Sequence, residues 1–327
     1  MKNVLFVTEK WCDFNPDLGF TNTMHNFYKT LSTYGQCKYN SIHTDEAQLV
    51  YGKHIDDVLI DYVNSHPTDI IIFSLVNHIK YDPSIECYRK LREKGIYLCV
   101  LWPDTGPDWG LQTIQKLKPH INLHISYDNP YPIGGHWNTI YDRSRFESNH
   151  LCLWTPEDDS MYYPEEKTID ISLLGSSKLY LDRLKVKDIL KERYSNIYIG
   201  GGQREGRLTP EQYAFIIRKS KIGINFSLSQ TGVFYQAKGR IFEYTASKTM
   251  LLDFYNPSTE DYYKVNIDYI GFSTVENLLH QIDFFIKNKK EREIIAQQGY
   301  NTFKSNWTSN HWWEIVLNRI NKEINNE

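Results

Sequence analysis

The densest chemistry in the sequence lies between Asn225 and Glu243 and ends in the run Lys238-Gly-Arg-Ile-Phe-Glu243. Lys238 and Arg240 can neutralise a diphosphate, the lysine as a point charge and the arginine as a planar fork. Glu243, one helical turn further on, can accept both hydroxyls of a ribose. Ser227, earlier in the same stretch, is counted with this set. Without a ligand the segment is a solvated helix start whose glutamate complements the dipole. Cations at the positive end of a helix oppose that dipole, however, and an anionic ligand would account for them.

Other candidates stand in loops. Gly175 and Ser176 follow a strand-like run and precede a helical one, a geometry suited to an anion. Gly200-Gly-Gly202 with Arg204 forms a second glycine loop, and Asp17-Leu-Gly19-Phe-Thr-Asn22 a third. In that third loop Gly19 would admit a ligand to the backbone, while Thr21 or Asn22 could simply cap the next helix. None is a Walker A loop or a GxGxxG fingerprint. The loop Trp102-Pro-Asp-Thr-Gly-Pro-Asp-Trp109 presents Asp104 and Asp108, and Asn77-His78 ends another strand. Asp104 and His78 are the candidates for general acid–base work, although a loop aspartate also caps its own backbone and a lone histidine is more often structural.

The elements that must hold these residues alternate short β-branched runs with amphipathic stretches, the rhythm of βαβ units. Strands are expected at Val4–Thr8, Asp69–Leu75, Ile96–Trp102, Ile121–Tyr127 and His150–Trp154, with helices over Thr23–Tyr34, Ile55–Ser65, Ser84–Lys94 and Trp109–Leu117. A polar, acidic stretch, Thr155–Lys167, looks like a linker, and Glu157-Asp-Asp159 within it like a solvated charge cluster. Strands then recur at Asp170–Leu174, Asn196–Ile199, Ile222–Phe226 and Met250–Phe254, separated by helices near Tyr180–Arg193, Pro210–Lys219 and Arg240–Ser247. Three helices close the chain, around Val275–Lys287, Lys290–Lys304 and His311–Lys322.

A chain of 327 residues exceeds what one core usually supports. Two α/β, doubly wound, Rossmann-like domains facing across a cleft are therefore expected. Their bounds are 1–154, a linker at 155–168, a ligand-binding domain at 169–305 and a terminal helix at 306–327 returning to the first. A net charge of −3 gives no overall footprint for nucleic acid. The 5 cysteines are scattered without a metal-ligand pattern and read as reduced thiols. The start is too short in apolar residues for a signal core, and no run suffices to span a bilayer, so the expected location is cytoplasmic.

The ordered pieces Lys238-x-Arg-x-Phe-Glu243, Ala246, Met250-Leu-Leu-Asp253 and Lys290-Glu-Arg-Glu-Ile-Ile-Ala-Gln-Gln-Gly299 resemble those of GT-B glycosyltransferases of the group 1 type, especially the CgeB-like branch. Trp154-Thr-Pro156, Tyr163 and Ile169-Asp-Ile-Ser-Leu-Leu-Gly-Ser176 are similar to that family's entry into its second domain. The resemblance covers the chain well from Trp154 onward. It implies a metal-independent hexosyl- or pentosyltransferase that needs no cofactor. The donor would be a nucleotide-diphosphate sugar, UDP- or GDP-linked, and the acceptor a hydroxyl of a cell-surface glycan, small molecule, protein or modified DNA base. By position, Glu243 would bind the donor ribose, Arg240 and Lys238 the diphosphate, and Gly175 and Gly19 would let backbone approach the donor. The chain departs from many relatives at Tyr235, where they carry a second glutamate, and at Lys248, where they carry glycine. A nucleotide-sugar epimerase on the same fold, or an inactive nucleotide- or glycan-binding protein, are the alternatives.

Overall fold

A computed structural model describes residues 1–75, 80–103, 108–127, 131–132, 149–175, 181–201, 206–228 and 234–325. In chain order the strands are β1 (Asn3–Thr8), β2 (Lys38–His43), β3 (Ile70–Ser74), β4 (Tyr97–Trp102), β5 (Leu123–Ser126), β6 (Tyr131–Pro132), β7 (His150–Cys152), β8 (Ile169–Leu174), β9 (Ile197–Gly200), β10 (Ser220–Asn225), β11 (Phe234–Tyr235), β12 (Met250–Phe254) and β13 (Ile270–Phe272). Contacts divide the chain into two compact units. Unit 1 comprises Met1–Asn129, His136–Trp154 and Ser309–Glu327, and unit 2 comprises Pro130–Gly135 and Thr155–Thr308.

Unit 1 holds a 6-stranded sheet in the order β2-β1-β3-β4-β5-β7, and every pairing in it is parallel. Parallel strands are covered on both faces, which is why Ile70–Ser74 and Tyr97–Trp102 are buried throughout. Leu5, Val7, Ile71, Phe73, Leu98 and Val100 pack with Leu59, Leu91 and Ile114 from the flanking helices. The last helix, Ser309–Ile324, belongs to this unit. Its Trp313 indole donates to Thr30 Oγ1 at 2.9 Å, and its Trp312 indole to the Trp154 carbonyl at 2.9 Å. Both rings are fully buried.

Unit 2 holds a 5-stranded parallel sheet, β13-β12-β10-β8-β9, and a small antiparallel ribbon of β11 with β6. Its helices start on strong signals. Thr209 and Gln212 form a reciprocal capping box with Pro210 at the first position, and Thr274 caps Val275–Lys287. At the centre of β10, Gly223 lies under Tyr244, whose ring would stand 2.2 Å from an added Cβ. The space of that side chain is filled by the aromatic ring of the helix Gly239–Ala246.

Several expectations are corrected. The helix expected over Thr23–Tyr34 is a π-helix at Met24–Lys29 that passes into an α-helix at Thr30–Tyr34. β2 and β13 were not legible, since β2 is a polar edge strand exposed over its first residues and β13 spans only Ile270–Phe272. The acidic run is not a solvated cluster: Glu157 is fully buried and Asp158 nearly so. The Asp158 carboxylate accepts from the Ser160 amide at 2.9 Å and its carbonyl from the Met161 and Tyr162 amides, so the run is a turn folded onto unit 2. Asp159 alone stays outside, 3.7 Å from Lys304.

Candidate nucleotide-binding site

In unit 2, β9 lies on one side of β8 and β10 on the other, so the direction of winding reverses between β8 and β10. Doubly wound sheets bind ligands outside the carboxyl ends of their strands at such a reversal. β8 runs out into Gly175, whose φ of 102° is open to glycine and strained for other residues. β10 runs out through Asn225 to Phe226 and Ser227.

Asn225 is fully buried, and its oxygen accepts from Arg240 Nε at 2.8 Å. Its amide nitrogen donates to Ser227 Oγ at 2.7 Å and to Asp253 Oδ1 at 2.9 Å. The Ser227 hydroxyl donates to Asp253 Oδ1 at 2.8 Å and the Thr259 hydroxyl to Asp253 Oδ2 at 2.6 Å. Burial pushes the Asp253 carboxyl up to about 7, against the pull of these donors. The network fixes which end of the Asn225 amide faces Arg240, and so aims the guanidinium. The Ser227 hydroxyl is itself buried within this network, bonded to Asn225 and Asp253.

The helix Gly239–Ala246 begins at Lys238, which makes no side-chain cap. The Lys238 ammonium donates to Gln236 Oε1. Arg240 and Glu243 share a helix face at i and i+3. Burial works against the charge of Arg240, yet the Tyr213 phenol and the Glu243 carboxylate hold its pKa above the usual value. Glu243 is 6% exposed, and among the described residues its Oε2 has no hydrogen-bond partner. Burial raises its pKa, opposed by Arg240 and by the hydroxyls of Tyr213 and Tyr162. A buried oxygen left unbonded costs about 1–3 kcal/mol, a cost that ligand hydroxyls would remove.

Gly175, Ser227, Lys238, Arg240 and Glu243 thus lie in unit 2, where β8 and β10 end and the helix Gly239–Ala246 begins. Gly19 lies in unit 1, in the loop after β1, with φ 77°. Asp104, His78, Ser176 and Arg204 lie outside the described residues. Sequence reasoning missed two carboxyls. One is Asp253, read only as the end of a strand. The other is Glu9, just past β1, whose carboxyl burial pushes up to about 7, with Asp45 and Asp82 adding to the rise. Among the described residues there is no group of three or more metal-ligating side chains and no helix long and apolar enough to cross a membrane.

Residues 165–318 match the model of a family described as glycosyl transferase-like. Curated proteins yielded no match. Similar solved structures include HepE from Anabaena in complex with UDP and glucose, with TM-score 0.61, 9% identity and coverage of 98% of this chain and 100% of that one. An α-glucosyltransferase in complex with UDP-glucose and DNA containing an abasic site aligns with TM-score 0.65, 13% identity and coverage of 98% and 100%. Sucrose-phosphate synthase from Thermosynechococcus elongatus aligns with TM-score 0.60, 8% identity and 98% coverage of both chains. At such identities the likeness is one of fold. The protein has the GT-B fold, two Rossmann-like domains, and the match to the glycosyl transferase-like family model falls on most of the second.

Proposed function

We propose that the protein is a glycosyltransferase of the group 1 type, within the CgeB-like branch, that moves a sugar from a nucleotide-diphosphate sugar to an acceptor hydroxyl. The observation that carries this reading is the buried Glu243 Oε2, without a hydrogen-bond partner among the described residues, one helical turn from Arg240 and beside the strand ends where a nucleotide is expected. Ribose hydroxyls would donate to Glu243. Arg240 and Lys238 would take the diphosphate, with a helix N-terminus behind them. In the reaction the bond from the anomeric carbon to the phosphate oxygen breaks, and the acceptor oxygen bonds that carbon as its proton passes to a base. Fixed cations that meet the charge growing on the departing diphosphate lower the barrier. That role for Arg240 and Lys238 supports a metal-independent reaction, so EDTA should leave turnover unchanged. UDP or GDP as the carrier agrees with the UDP complexes among the similar structures. Asp104 and His78 are kept as the candidate acid–base groups.

The test is calorimetry with UDP and GDP, together with hydrolysis of a panel of radiolabelled nucleotide sugars in the absence of acceptor. One nucleoside diphosphate should bind the wild type, and Glu243→Ala and Arg240→Ala should each weaken it at least tenfold while the fold persists. Wild-type affinity in both variants would sink the site. Binding without any donor hydrolysis would favour the inactive binding protein.

A further inference from the structure

The sheet of unit 1 also reverses its winding, between β1 and β3, because β2 and β3 lie on opposite sides of β1. The loop leaving β1 at that point is an ordered ribbon. Cys12 N donates to the Gly19 carbonyl and Thr21 N to the Lys10 carbonyl, each at 3.0 Å, and Trp11 pairs with Phe20. In such an antiparallel pair, flanked by hydrogen bonds and making none itself, the side chains stand close together on one face. Trp11 and Phe20 therefore project from the same face of the ribbon, Phe20 44% exposed and the Trp11 ring with the Lys10 ammonium 5.1 Å from its centre. The ribbon is pinned from beneath. The fully buried Asp45 takes the Lys10 amide at 2.9 Å and the Trp11 amide at 3.0 Å. Phe14 stacks on Tyr81 at 4.2 Å, tying the ribbon to the residues that follow β3.

Among the described residues, acidic groups around this surface outnumber basic ones, with Glu9 joining them in ionised form above about pH 7. Glu9, Asp13 and Asp17 lie on the ribbon, Asp45 and Glu46 hold it, and Asp82 acts on Glu9. Against them stand Lys10, already bonded to Glu46 at 2.8 Å, and Lys80, which lies over the Tyr81 ring. A polyanion brought here meets like charge, whereas a neutral sugar can lay its apolar face on the rings and donate its hydroxyls to carboxylates.

We infer, resting on the glycosyltransferase reading above, that the ribbon Glu9–Thr21 is an acceptor platform and that the acceptor is a neutral carbohydrate, not a nucleic acid or a phosphorylated polymer. Trp11 and Phe20 stack on the acceptor sugar, and Glu9 accepts a hydrogen bond from one of its hydroxyls.

The full chain, saturated with UDP, should be applied to an array of neutral oligosaccharides, sialylated and phosphorylated oligosaccharides, and duplex DNA containing 5-hydroxymethylcytosine. Neutral glycans should be retained above the anionic probes. Trp11→Ala and Phe20→Ala should each cut that retention at least tenfold, and Trp11→Tyr should restore most of it. Stronger retention of DNA or of acidic glycans, no retained neutral glycan, or alanine variants that bind as the wild type would each overturn the proposal. UDP affinity measured beside the array separates the two readings. If neither UDP nor GDP binds while neutral glycans are retained, the donor reading fails and the platform stands.

Discussion

Glu243 and Asp253 are carboxyls held where the charged form is poorly solvated, and each has a measurable consequence. If ribose hydroxyls donate to Glu243, a nucleoside diphosphate binds its ionised form better, and binding must expel a proton from whatever fraction is protonated. Calorimetry near pH 6 in buffers of different ionisation enthalpy should show net proton release on binding, lost in Glu243→Gln. Stability carries a second signature. Between the usual aspartate range and about 7, Asp253 holds its proton in the fold and loses it on unfolding, so stability falls as pH rises through that window. Glu9 acts in the same sense up to about 7. Lys167 acts in the opposite sense: its ammonium donates to the carbonyls of Arg218 and Ser247 and to Thr249 Oγ1, and burial pushes its pKa down to about 7. Above that pH the unfolded chain binds the extra proton and stability rises. Each group contributes about 1.4 kcal/mol per pH unit within its window. Urea midpoints should therefore pass through a minimum near pH 7. Asp253→Asn should flatten the acid limb and Lys167→Met the alkaline one.

At the scale of elements, the end of the helix Gly239–Ala246 explains a departure from the family pattern. Thr249 N donates to the Tyr244 carbonyl at 2.9 Å and Lys248 N to the Thr245 carbonyl at 3.0 Å, a Schellman cap whose left-handed position is Lys248, with φ 52°. Glycine is the usual residue there because it has no Cβ to strain. Lys248→Gly should stabilise unit 2 by about 1 kcal/mol, read as a shift in urea midpoint, unless the added freedom of the unfolded chain cancels the gain. Elements like this were legible where local signals agree: Pro210–Lys219, Met250–Phe254 and Val275–Lys287 end where pattern and caps place them. Lys38–His43 was not legible because half of its residues face solvent and its partner β1 is far away in sequence. The charged residues Lys238, Arg240 and Glu243 could be read from one helix start. Asp253, Asn225 and Glu9 could not, because their role comes from burial and from neighbours that only the fold supplies.

At the scale of the whole molecule, each unit has its own core and its own reversal of winding, and neither is built from one continuous stretch of chain. Unit 1 is closed by Trp312 and Trp313 from the end of the chain, against Trp154 and Thr30 from its earlier part. Trp313→Ala removes a fully buried ring and its bond to Thr30, and should cost about 3–5 kcal/mol. In a calorimetric scan the transition of unit 1 should move down while that of unit 2, followed by its protection with nucleoside diphosphate, stays in place. A common loss in both transitions would mean that the two units unfold as one. The same closure sets an order of assembly during synthesis. The segment that seals the first unit leaves the ribosome only after all of the second unit has emerged. The first unit is therefore begun before the second and completed after it, and until then it must wait with the seat of two tryptophans open to water.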